Sequence, residues 1–162
     1  MGIIWSYLGY TNEDEIDPIT GLTGKDKRLI QASNSGIRKN AAKNGADILY
    51  VFFEKYPEYQ KYFPFRDVPL NELKTNKRFI VHCNSVMYAL MSWSDNLENP
   101  EILIELFLKL GQNHKRHNLP DQSFRDLRDT VLACLKPLLS KETHDAHTKL
   151  WKIATETVLT QI

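Results

Sequence analysis

Two histidines on apolar helix stripes constrain this chain more than any other feature. Phe79, His82, Cys83, Val86, Leu90 and Trp93 recur at steps of three and four residues, which places all six on one face of a helix. Leu103, Leu106, Phe107, Leu110 and His114 follow the same spacing in the next helix. Each stripe turns an imidazole toward the interior. A polar group removed from water without a partner costs about 1–3 kcal/mol, and neither helix face carries an Asp or Glu to accept a hydrogen bond from its histidine. For either residue alone, a backbone carbonyl is the ordinary partner; for the pair, something not encoded in the chain is the alternative.

The chain has 162 residues, the size of one domain, enough to bury about 70% of its unfolded surface around a single core. With a formal net charge of +1, nothing global points to nucleic acid or to an acidic substrate. Cys83 and Cys134 lie within apolar patterns and read as free core thiols rather than a disulfide. Neither a run of eighteen apolar residues nor a basic region before a long apolar core is present. These features imply an intracellular, cytoplasmic protein.

Residues 1–22 stand apart as an N-terminal extension, with the folded domain expected over 23–162. MGIIWSYLGY is apolar and aromatic, and TNEDEIDPITG follows as an acidic, turn-forming linker. The opening letters fit M-G-x-x-x-[ST], with Gly2 as the acceptor for N-myristoylation and Ser6 at the matching position. A single acyl chain binds membranes weakly and reversibly; Ile3, Ile4, Trp5 and Tyr7 would add interfacial affinity. A tail packed on the domain is the alternative.

Helical signals fill the remainder. Thr23 caps a helix reaching Lys39, with Asp26 three residues on. A second spans Ala41 to Tyr56, with Gly45 placed for a close helix crossing. YPEYQKYFPFRDVP then forms an aromatic, proline-rich corner that should line something. Further helices are expected over Asn71 to Asp95, Pro100 to Asn113, from a cap at Asp121 to a stop near Lys136 imposed by Pro137, and Lys141 to Thr160. The last carries His147, Leu150, Trp151, Ala154 and Val158 inward. No run alternates like a strand, so the class is all-α.

Other uses of the histidines fit poorly. Structural zinc wants four Cys or His ligands in short-range pairs, whereas His82 and Cys83 point about 100° apart on a helix. A Cys–His catalytic pair would need a thiolate at Cys83 or Cys134, disfavoured among Leu and Val. Lys115, Arg116 and His117 form a short basic exit without a stacking platform for nucleic acid.

A flat, apolar, iron-bearing cofactor between the two helices does fit. GADILYVFFEKYP, the aromatic corner with Phe63 six residues beyond Pro57, the helix centred on His82, and LKLGQNH ending in His114 together resemble a globin, over roughly Leu22 to Thr160. FPFRDVPLNEL is similar to intracellular insect globins. The resemblance implies a 3-over-3 sandwich of about eight helices around haem b. It makes His114 the proximal iron ligand and His82 the distal residue, itself a candidate iron ligand. Phe63 would stack on the porphyrin, with Leu49 and Val86 walling the distal side and Leu110, Leu119, Phe124 and Leu127 the proximal side. The carbonyl of Leu110, one turn back, is a candidate partner for the other nitrogen of His114.

The resemblance further implies a binding protein rather than an enzyme. Its ligands would be dioxygen and other diatomic gases, carbon monoxide and nitric oxide. The alternative is a six-coordinate globin acting in redox, nitric-oxide or reactive-oxygen chemistry or in gas sensing, served by a reductase and tethered weakly to membranes through Gly2. It implies a monomer or homodimer and no nucleic-acid partner. Asn34 stands where the family usually has tryptophan, and Ser85 where insect relatives often place a basic residue near a haem propionate; Arg66 or Lys115 would take over that role.

Overall fold

The computed structural model describes residues 13–162; Gly2, Ser6 and the other residues of the acylation motif lie outside them. Residues 13–23 fold back on the first helix. Asp17 accepts from the backbone of Ile19 and Thr20 at 3.0 and 2.8 Å and pairs with Lys27 at 3.3 Å. Gly21 takes a left-handed φ of 69°, open to glycine without strain. The turn delivers Leu22, fully buried, to the core.

Six α-helices follow: α1 (Gly24–Arg38), α2 (Ala41–Lys55), α3 (Lys77–Asp95), α4 (Pro100–Lys115), α5 (Asp121–Leu135) and α6 (Lys141–Leu159). Three short 3-10 segments, Pro57–Tyr62, Leu70–Thr75 and Lys136–Leu138, complete the helical elements among the described residues. Thr23 and Asp26 form the reciprocal cap expected of them, at 3.1 and 2.9 Å. Asp26 also accepts from Lys149 at 2.8 Å, which ties α1 to α6.

Three boundaries differ from the expected ones, each for a local reason. The helix bearing His82 begins at Lys77 rather than Asn71, because the Asn76 side chain accepts from the backbone of Arg78 and Phe79 and caps it. Residues before it coil more tightly as a separate 3-10 turn. Asp121 is the first helical residue after Pro120 rather than the cap, and there its charge suits the positive helix end. The helix bearing His114 continues to Lys115, so His114 sits within the last turn and one turn from Leu110.

The main packed pairs are α2 with α3, and α6 with α4, α1 and α5. The core divides in two. One cluster centres on Trp93, Phe107, Leu150, Trp151 and Val158; the other joins Phe52, Phe53, Phe65 and Phe79 around the corner after α2. Two glycines let helices approach where a side chain would not fit. A Cβ on Gly45 would stand 2.5 Å from Cγ of Met87 and 3.0 Å from the Cys83 carbonyl, which locates the close α2–α3 crossing. A Cβ on Gly111 would stand 2.4 Å from the Val158 carbonyl, so α4 and α6 cross there with backbones nearly touching.

These surroundings set opposite signs for one substitution. Gly36 lies in α1 with open space about its Cβ direction, so Gly36→Ala should stabilise by about 0.5–1 kcal/mol. Gly111→Ala must push α4 from α6 and should cost about 1–3 kcal/mol. Urea unfolding midpoints measure both; equal shifts of one sign would contradict the close crossing.

Candidate functional site

Between the two core clusters lies an apolar cavity, partly open to solvent. The nine residues singled out from the sequence, Leu49, Phe63, His82, Val86, Leu110, His114, Leu119, Phe124 and Leu127, all line it. They come from α2, the corner, α3, α4, the α4–α5 loop and α5, so the whole fold is needed to bring them together.

Phe63 takes its place from an aromatic cluster. Its ring lies 5.0 Å from Phe53, 5.2 Å from Phe65 and 5.0 Å from the His82 ring. The corner is held by two side chains whose roles the sequence does not betray. Gln60 donates to the carbonyls of Phe65 and Val68 at 3.0 and 2.7 Å, closing the loop on itself. Tyr59 donates its hydroxyl to Asp126 of α5 at 2.7 Å, and that hydrogen bond, with burial behind it, raises the phenol pKa to about 12. Irregular backbone lacks a period, so neither contact leaves a trace in spacing.

His114 and His82 occupy different chemical situations. Nδ1 of His114 lies 2.8 Å from the Leu110 carbonyl. A carbonyl can only accept, so Nδ1 carries the proton and a neutral ring keeps its lone pair on Nε2. No protein hydrogen bond reaches that Nε2 among the described residues. Burial holds the imidazole pKa below its usual value, partly countered by Leu110. His82 has no protein partner on either nitrogen among the described residues. Burial first, then the nearby His114 and His117, lowers its pKa to about 4. No buried nitrogen or oxygen side-chain atom lacks a partner among the described residues, so the His82 nitrogens open onto the cavity.

Among the lining residues not singled out beforehand, α6 supplies the most. Trp151, Ala154, Thr155 and Val158 form the cavity's back wall, with Leu90 and Trp93 beside them. Their stripe was visible as an inward helix face, but spacing alone does not tell a cavity wall from ordinary core. Arg66 is exposed and lies 3.5 Å from Asp67, and neither it nor the exposed Lys115 lines the cavity. Cys83 is buried, and burial raises its thiol pKa to about 12; Cys134 is only half-buried, with its pKa also raised by burial. Cys134 thus departs from the core position expected of it, although its neighbour Leu135 is buried. No group of three metal-ligating side chains occurs among the described residues, and no helix there is long and apolar enough to cross a membrane.

The globin family profile matches residues 46–162. The chain belongs to the globin family. Among curated globins it is 25% identical to a globin of the snail Nerita albicilla, covering 76% of this chain and 80% of that one. It is 26% identical to globin CTT-Z of the midge Chironomus thummi piger, covering 74% and 73%. Among solved structures it is similar to a Drosophila melanogaster protein described as a hexa-coordinate hemoglobin, with a TM-score of 0.83, 25% identity, and 87% and 95% coverage. A myoglobin of Aplysia limacina, at 17% identity and a TM-score of 0.78 over 86% of this chain and 98% of that one, shares the fold. The profile match begins within α2, so α1 lies ahead of the matched residues, although it packs on α6 and α3.

This globin's buried imidazoles make its stability acid-sensitive. An unfolded imidazole binds its proton near pH 6.5, whereas folded His82 and His147 do so only near pH 4, both mainly through burial. Between those values the unfolded chain carries more protons, so stability is complete above about pH 6.5 and falls as pH drops toward 4. Urea midpoints of the ligand-free chain should decline across that window, and histidine NMR signals for both residues should still report neutral rings at pH 5. A flat stability profile from pH 7 to 4.5 would contradict their burial.

Proposed function

We propose that this globin binds haem b through His114 and takes up dioxygen reversibly, for storage, transport or facilitated diffusion. The observation that carries the reading is the Leu110–His114 hydrogen bond. It fixes the tautomer in which Nε2 is a bare donor beside an apolar cavity, the arrangement a haem iron ligand requires. The cavity's walls are apolar enough to accept a porphyrin face and to keep water away from the metal. Haem, when bound, would supply an iron able to take up small gases.

The chain's own residues do the rest. Phe63 offers a ring held by Phe53 and Phe65, suited to lie against a planar group. His82 is neutral near pH 7, so one ring nitrogen offers N–H and the other a lone pair. Its N–H can donate to a polarised diatomic guest, a contribution of about 0.5–1.5 kcal/mol. Leu49 and Val86 limit the room on that side, and Leu110, Leu119, Phe124 and Leu127 that on the other. Carbon monoxide and nitric oxide are further ligands on this reading.

A second reading rests on the same His82. With no protein partner for either nitrogen among the described residues, it could offer a lone pair to the iron, and the Drosophila relative is described as hexa-coordinate. Such a globin would act in redox or nitric-oxide chemistry with an external reductase.

Two variants test these readings. His114→Ala should sharply reduce haem retention, and undiminished retention would contradict the ligand assignment. His82→Leu should retain haem and release dioxygen faster. A wild-type ferrous, gas-free spectrum of the low-spin six-coordinate type, lost in His82→Leu, would select the second reading; a five-coordinate spectrum would remove it.

A further inference from the structure

Behind the wall formed by Leu90, Trp93 and Trp151 lies a second cavity, partly open to solvent, sharing only those three residues with the first. Its lining is largely apolar, with Ile48, Met87, Met91 and Val131 among its walls. The charge at its edge is already matched: Asp47 is held by Lys43 and Lys74, each at 2.6 Å. The Asn44 amide donates to the Ile37 carbonyl at 3.0 Å. A charged guest would therefore find no free counter-charge among these groups.

One polar atom stands apart. His147 of α6 borders this cavity and is only 3% exposed. Its Nε2 lies 2.8 Å from Oγ of Ser33, which also lies 2.9 Å from the Ile30 carbonyl. A carbonyl can only accept, so both contacts are hydrogen bonds when Ser33 donates to Ile30 and accepts from Nε2, the arrangement that leaves the lone pair on Nδ1. No protein donor reaches Nδ1 among the described residues, yet no fully enclosed nitrogen or oxygen there lacks a partner. Nδ1 must face open space, and the space that His147 borders is the cavity. The ring is neutral near pH 7, because burial, with His144 nearby, lowers its pKa to about 4.

We propose that this second cavity binds a neutral alicyclic or branched aliphatic alcohol, its hydrocarbon body buried among the aliphatic walls and its hydroxyl donating to Nδ1 of His147. The site is separate from the proposed haem site, and its occupancy does not depend on that reading.

Borneol and camphor are near-equal in shape but differ at one oxygen: the first has a hydroxyl that can donate, the second a carbonyl that can only accept. Calorimetric titration of the full-length chain should show saturable one-to-one binding of borneol, about fivefold tighter than camphor, in line with one net hydrogen bond. His147→Phe should erase the preference, and Val51→Trp, at the cavity's half-open rim, should weaken both ligands. In haem-loaded protein the Soret band should not move as borneol saturates. Absence of saturable borneol binding, a preference for camphor, a preference that survives His147→Phe, or a Soret shift that tracks borneol occupancy would each overturn the proposal.

Discussion

A single backbone carbonyl decides the chemistry of the first cavity. Leu110 accepts from Nδ1 of His114, and this contact does three things at once. It satisfies a polar atom that would otherwise be costly to bury, orients the ring on α4, and leaves Nε2 with its lone pair. The contact exists because α4 continues to Lys115 and holds His114 in helical register with the residue four before it. That helix in turn sits where Gly111 allows it to cross α6 at backbone distance. Helix length, one glycine and one carbonyl thus set the state of one nitrogen.

The facing side is built on a different logic. His82 is left without a protein partner among the described residues, and burial keeps it neutral. Leaving an imidazole unpaired is unfavourable for the chain alone, and natural proteins keep such features mainly at functional sites. The corner between α2 and α3 carries Phe63 to the cavity, with its irregular backbone held by Gln60 internally and by Tyr59 across to α5. This cross-tie fastens the corner to α5 beside the cavity.

Much of this was legible in the sequence, and the reasons are physical. The 3.6-residue period marks helix faces directly, so the stripes of His82 and His114 and the inward face of α6 could be read without coordinates. Gly45 could be assigned to a helix crossing because glycine is unfavourable within a helix unless it serves close approach. Gly111 was not assigned a crossing: its partner, the Val158 carbonyl, is 47 residues away in sequence (158 − 111), and backbone proximity over that distance has no pattern. The start of α3 was misplaced because a 3-10 turn carries helix-like residues, and only the Asn76 cap separates it from the true helix. The second cavity could not be foreseen: a void is the absence of packing among five helices, and no residue announces it.

The central claim is that the first cavity receives one haem through His114. Titrating the ligand-free chain with haem under reducing conditions and following the Soret band tests it directly. The account predicts a sharp break at one haem per chain, with the band shifting further under carbon monoxide. Absorbance that rises only as free haem does, with no break at any ratio, would contradict it.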